Sequence, residues 1–269
     1  MFPNDAFTQR QRKRPCHGVG VRRILPGMDL SGKVSLVTGG AVRLGRAMAI
    51  SLAQCGADVV IHYRDSSEAA GKVRQEIESM GRHAHLVQAD LVNEAACRKT
   101  IGEALAQAGR LDVLVNNAAV FHKHTLLDSS EEKVMAEFWP NLFSPLFLIR
   151  AFASTCKQGR IVNMLDRRIR AHDSTCVPYM LAKKGLEELT SLAALELAPH
   201  FTVNAIAPGS LLPPPGQSMD YLRRQAGPVP LDVQCTEQDI VQALHYVLGS
   251  QVLTGQVIFV DGGQHLLGN

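Results

Sequence analysis

From Lys33 to Gly263 the chain alternates short runs rich in β-branched residues with longer runs that have apolar residues at helical spacing, without an internal sequence repeat. Such alternation produces a parallel sheet covered by helices on both faces, because each strand must return through a crossover to lie parallel to the last. The strand runs are KVSLVTG (33–39), DVVIHY (58–63), HAHLVQAD (83–90), LDVLVNNAA (111–119), GRIVNML (159–165), FTVNAIAPG (201–209) and QVIFVDGG (256–263). The expected fold class is therefore α/β, a single doubly wound domain over residues 28–269 built on a seven-stranded parallel sheet.

The helical runs carry their own punctuation. LGRAMAISLAQCG (44–56) should end on Gly56 as a cap, and SSEAAGKVRQEIESMG (66–81) should start from Ser66 or Ser67. The run EEKVMAEFWPNLFSPLFLIRAFASTC (131–156) contains Pro140 and Pro145, and proline removes a helical hydrogen bond, so this helix is expected to be interrupted. The stretch LLPPPGQSMDYLRRQAGPVP (211–230) is too long for a simple connection and reads as a mobile segment covering the substrate.

Composition narrows the class. In 269 residues with 46% hydrophobic content there is ample material for one core. There is no apolar run of the about 20 residues that span a bilayer and no apolar signal segment, so a cytoplasmic protein without a membrane partner is expected. The six cysteines show no CxxC spacing, and the pairs His83/His85 and His122/His124 have no neighbouring ligand partners, so neither a disulfide framework nor a metal site is expected. Residues 1–27 hold Arg10, Arg12, Lys13, Arg14, Arg22 and Arg23 against Asp5 alone, while the whole chain has a formal net charge of only +3. That segment reads as a disordered basic extension, and without interleaved aromatics or a reader fold it does not point to nucleic acid.

In a doubly wound sheet a nucleotide binds at the carboxyl ends of the strands, with its pyrophosphate on the first helix N-terminus. TGGAVRLG, Thr38 to Gly45, occupies that turn, with Thr38, Gly39, Arg43, Leu44 and Gly45 as candidate cofactor residues. Arg43 stands where a glycine would be expected. The second strand ends in HYRDSS, without the terminal acid that holds a ribose 2′-hydroxyl. His62, Arg64 and Ser66, with Tyr63 beside them, can instead recognise a 2′-phosphate, provided Asp65 points away, and NADPH is favoured over NADH. Asp90 and Leu91 follow the third strand near the adenine, and Asn116, Asn117 and Ala118 follow the fourth.

Tyr179 and Lys183 are spaced i, i+4 and so share a helix face. Asp166 lies thirteen residues before the tyrosine, at the end of a strand. Taken together, Thr38–Gly45, Asn116-Asn117-Ala118, Tyr179-xxx-Lys183, APG at 207–209 and VDGG at 260–263 resemble the short-chain dehydrogenase/reductase family over about residues 29–267. The resemblance implies a Rossmann fold, Tyr179 as proton donor, Lys183 holding the nicotinamide ribose and lowering the tyrosine pKa, and Asn141 supporting a proton relay. It also implies that Pro208, Gly209 and Ser210 border the cofactor and that the protein is a homotetramer.

Most of that family has serine where this chain has Asp166. A carboxylate repels the oxyanion of ketone reduction, whereas the nitrogen of a C=N bond profits from an acid beside it. Arg43-Leu44-Gly45, Phe121 and Asp166 match the pteridine reductase branch. That branch implies a pterin between Phe121 and the nicotinamide, with Arg43 reaching both the cofactor phosphate and the pterin, and Asp166 and Tyr179 managing the proton. Ala119 and Pro140 depart from its pattern. The cations of DRRIRAHDSTC (166–176) suit an anionic substrate tail or a solvated loop. The reading is thus an NADPH-dependent reductase of a dihydropteridine or dihydrofolate. A carbonyl reductase of the same family, or an NADPH-binding regulatory protein, are the alternatives.

Overall fold

The computed structural model describes residues 28–211 and 227–268, with residues 216, 218 and 220 between them. The expectations for residues 1–27 and for most of the 211–230 segment lie outside the described residues. Seven parallel strands, β1 (Val34–Val37), β2 (Asp58–Tyr63), β3 (Ala84–Gln88), β4 (Val113–Asn116), β5 (Gly159–Met164), β6 (Phe201–Pro208) and β7 (Val257–Val260), lie in the order β3-β2-β1-β4-β5-β6-β7. The expected doubly wound sheet is the fold observed.

Alternation within each strand builds two cores at once. Val37, Ile61, Val115 and Val162 face one layer of helices, α1 (Arg43–Gln54), α2 (Ser67–Ser79) and α7 (Glu237–Gly249), through Met48, Leu52, Ile77 and Leu244. Their neighbours Leu36, Val60, Leu114 and Ile161 face the opposite layer, α3 (Glu94–Ala108), α5 (Ser144–Thr155) and α6 (Val177–Glu196), through Ile101, Leu148 and Phe152. Both faces are covered, which is why the strands read as continuous apolar runs. Each fully buried Leu or Ile stabilises by roughly 1.5–3 kcal/mol.

β1 pairs with both β2 and β4, Val37 standing opposite Ile61 on one side and Val115 on the other. The chain leaves β1 toward one face and reaches β4 by the other, so a crevice opens at their carboxyl ends. Helix α1 stops at Cys55, with Gly56 one residue beyond at φ +94°. The interruption expected at Pro140 takes the form of a π-helical turn, Trp139–Phe143, between α4 (Glu131–Phe138) and α5. Pro145 adds no second break, because it falls in the first turn of α5.

Candidate active site

The turn after β1 is braced from β4. Thr38 Oγ1 donates to the Val115 carbonyl (3.3 Å) and accepts from the backbone N–H groups of Asn117 (2.9 Å) and Ala118 (3.0 Å). The Asn117 amide donates to the carbonyls of Thr38 (2.9 Å) and Gly39 (3.2 Å). Gly39 has φ +60°, and a Cβ on Gly45 would lie 2.0 Å from its carbonyl oxygen, so no side chain fits between helix and turn. Val42 precedes α1 without a side-chain cap bond, and the first turn of α1 contains no acid. The helix N-terminus therefore presents its amide donors to an anion.

Arg43 adopts φ 51°, the left-handed region that the expected glycine would occupy freely and that costs other residues about 1–2 kcal/mol. It lines two adjoining clefts. The first, of about 760 Å³, runs from Gly39 and Gly45 past Tyr63, Arg64 and Ser66 to Asp90 and Leu91. The second, of about 950 Å³, contains Phe121, Asp166, Tyr179, Lys183 and Pro208 to Ser210. Arg43, Leu44, Asn117 and Ala119 border both. One elongated molecule with an anionic centre at the α1 N-terminus fits this arrangement, and its far end would reach Tyr179.

Several residues expected to touch the cofactor have other tasks. Thr38 is buried and serves as the brace just described. Asn116 lies inside the sheet, donating to Asn163 Oδ1 (2.8 Å). His62 is buried as well, with Nδ1 accepting from the Gly39 N–H (3.2 Å) and Nε2 at 3.1 Å from the Ala89 carbonyl. Burial lowers its pKa to about 4, so it is a neutral strut and supplies no cation for a 2′-phosphate. Asp65 does not point away, because it accepts from Arg64 Nε at 2.7 Å on the exposed rim. Ser66 is the N-cap of α2 but makes no side-chain cap bond.

The reacting groups converge from three elements. β5 ends before Asp166, whose Oδ1 caps the short 3₁₀ helix Arg167–Arg170 by accepting from the Arg168 N–H (2.8 Å). Its Oδ2 accepts from the Tyr179 hydroxyl at 2.9 Å. Tyr179 lies in the first turn of α6, with Lys183 one turn later, and Lys183 Nζ donates to the Met164 carbonyl (2.9 Å). The tyrosine pKa is not lowered in this arrangement. Burial and the Asp166 carboxylate beside the phenol push it well above the usual value, while burial lowers Lys183 to about 8.

Phe121 is 41% exposed, which excludes core packing as its role. Its ring meets Tyr179 edge to face with centroids 4.8 Å apart, and the Arg168 guanidinium stacks over it at 4.9 Å. Asn141 is buried in the π turn, its Nδ2 donating to the carbonyls of Val120 (2.9 Å) and Glu137 (3.0 Å) and to Glu137 Oε2 (3.1 Å). Glu137 and His122 were not anticipated as site residues, and Arg168 only as one of the cations of the 166–176 segment. In sequence Glu137 is indistinguishable from Glu131 and Glu132 on the same helical run, yet it is wholly buried. Among the described residues no cluster of three His, Cys, Asp or Glu side chains could hold a metal, and no helix is long and apolar enough to cross a membrane.

A doubly wound sheet with a dinucleotide-shaped cleft ending on a tyrosine–lysine pair defines a nucleotide-dependent oxidoreductase. Residues 40–265 match the family model described as Enoyl-(Acyl carrier protein) reductase, and the chain belongs to the short-chain dehydrogenase/reductase family of NAD(P)-dependent oxidoreductases. It is similar to the FolM alternative dihydrofolate reductase 1 of Brucella canis, whose structure is complexed with NADP, at 32% identity, TM-score 0.84, 88% of this chain and 95% of that one. A putative short-chain alcohol dehydrogenase of Sinorhizobium meliloti is 31% identical with TM-score 0.83, covering 91% of this chain and 100% of the other. An uncharacterized oxidoreductase of Mycobacterium tuberculosis is 34% identical over 89% of this chain and 95% of its own length.

Proposed function

We propose that this protein uses NADPH to reduce a C=N bond in a pteridine of the dihydrobiopterin, dihydromonapterin or dihydrofolate class. The observation that carries the reading is the hydrogen bond from the Tyr179 hydroxyl to Asp166 Oδ2 in a cleft walled by Phe121. When bound, NADPH supplies the hydride. The α1 N-terminus and Arg43 would hold its pyrophosphate, Arg64 and Ser66 its ribose phosphate, and Lys183 and Gly209, in the second cleft, its nicotinamide end. The NADP bound to the Brucella canis relative supports this choice of cofactor.

The chain's own contribution is a proton at the nitrogen. A carboxylate beside the phenol disfavours an alkoxide forming there, but it stabilises a nitrogen that gains a proton as hydride reaches the adjacent carbon. Burial and Asp166 keep Tyr179 in its protonated form through neutral pH, so it enters the reaction as an acid. Phe121 offers a half-exposed face to a flat heteroaromatic ring. The test is NADPH oxidation by the purified protein with dihydrobiopterin, dihydromonapterin, dihydrofolate and a panel of ketones. Turnover of ketones with none of any pterin would overturn the reading.

A further inference from the structure

One buried acid has no part in the chemistry above. Glu137 accepts at Oε1 from the His122 N–H (2.9 Å) and lies 2.6 Å from His122 Nδ1, while Oε2 accepts from Asn141. Enclosing a carboxylate costs several kcal/mol unless it is paired, and its partner here is a histidine whose side chain is 58% exposed at the rim of the first cleft. On the inner side, Asn141 Oδ1 is buried and accepts from no group among the described residues, an acceptor of the kind that holds an ordered water. Lys183, on the helix packed against this turn, is only 3% exposed and lies within the electrostatic reach of both Glu137 and Asp166.

Reduction of a C=N bond consumes one hydride and one proton. Tyr179 and Asp166 are therefore one proton short after each turnover, in a pocket where tyrosine and lysine are both buried. We propose that His122 and Glu137 form the solvent end of the path that returns this proton. The inference rests on the reading of Tyr179 as the donor. A proton from solvent binds His122 Nε2 as the Nδ1 proton passes to Glu137 Oε1. Glu137 then releases it to water at Asn141 Oδ1, and it continues past Lys183 to Tyr179. His122 returns to its starting tautomer by exchange with solvent. Charge and atoms balance, since one proton enters at the imidazole and one leaves with the substrate nitrogen.

His122 and Glu137 act through Asn141 and Lys183, and neither lines the cleft that contains Phe121, Asp166 and Tyr179. The other titratable groups facing them are His124, with ring centroids 6.1 Å from His122, Glu132 on the same cleft, and Lys183 with Asp166 on the inner side.

The experiment compares the wild-type enzyme with Glu137→Gln and His122→Ala in NADPH-dependent dihydrobiopterin reduction, in H₂O and D₂O and across neutral pH. Both variants should lose about tenfold to a hundredfold in kcat, keep their KM and NADPH affinity, and gain a solvent deuterium isotope effect. Added imidazole should restore the rate of His122→Ala. Unchanged kcat in both variants, or loss without imidazole rescue and with NADPH affinity falling in parallel, overturns the path. A readout independent of turnover is the ¹⁵N NMR titration of Lys183, whose pKa burial lowers to about 8. Glu137→Gln should move that titration to lower pH, and an unmoved titration also overturns the path. If wild-type protein turns over no pterin, the proposed substrate fails, and the same two variants compared on a ketone that it does reduce decide the relay, because Tyr179 gives up one proton per turnover there too.

Discussion

Asp166 holds the Tyr179 hydroxyl at 2.9 Å with one carboxylate oxygen and the Arg168 backbone N–H at 2.8 Å with the other. Both oxygens are thereby fixed, and the phenol is aimed by a side chain that is itself an N-cap. Serine at this position would keep a hydroxyl near Tyr179 but remove the charge. Asp166→Ser is expected to lower pterin turnover by about a hundredfold with NADPH affinity unchanged. Steady-state rates beside a fluorescence titration of NADPH check this, and equal pterin rates would show that the carboxylate has no role at the nitrogen.

Arg43 combines a strained backbone with a position between the two clefts. Arg43→Gly removes the left-handed penalty of about 1–2 kcal/mol, offset in part by the entropy of a freer unfolded chain. The thermal midpoint should hold or rise slightly, while KM rises for both NADPH and pterin. A variant that unfolds earlier but keeps its KM values would reverse this assignment.

Gly45 is needed for a different reason. The Cβ of Gly45→Ala would sit 2.0 Å from the Gly39 carbonyl oxygen and 2.6 Å from the Asn117 amide nitrogen. Neither can yield without opening the brace between β1 and β4. The substitution should cost about 1–3 kcal/mol of stability and abolish NADPH binding, measured by thermal denaturation with and without cofactor. Added NADPH should no longer raise the midpoint.

His62 predicts an acid limb of stability. Its pKa is about 4 in the folded protein against an ordinary 6.5, so between these values the unfolded chain binds the extra proton. Stability is retained above pH 6.5 and lost as the pH falls toward 4, by up to about 3 kcal/mol. His62→Gln should flatten that limb in denaturant titrations run at successive pH values. An unaltered limb would mean that other groups produce it.

Much of the fold was legible because its signals are local. Fully covered parallel strands leave continuous apolar runs, and the helices between them keep a helical period, so the order of elements followed from the chain itself. The shared helix face of Tyr179 and Lys183 was legible from their spacing, and the place of Asp166 beside them from the resemblance to the short-chain dehydrogenase/reductase family. The roles of His62 and Asp65 were not. Whether a histidine at a strand end is a cation or a buried strut depends on the carbonyl of Ala89 and the N–H of Gly39, neither of which is adjacent to it in sequence.

By itself, then, the sequence determined the doubly wound sheet, the phosphate-facing turn and the tyrosine–lysine helix, through periodicities and spacings contained within single elements. Only the tertiary structure decided the charge and burial of individual groups. Glu137 is enclosed and joined to His122, Asn116 is turned into the sheet, and Tyr179 is raised in pKa by its neighbours. Desolvation and pairing depend on what other elements bring to the same place, and no local pattern records them.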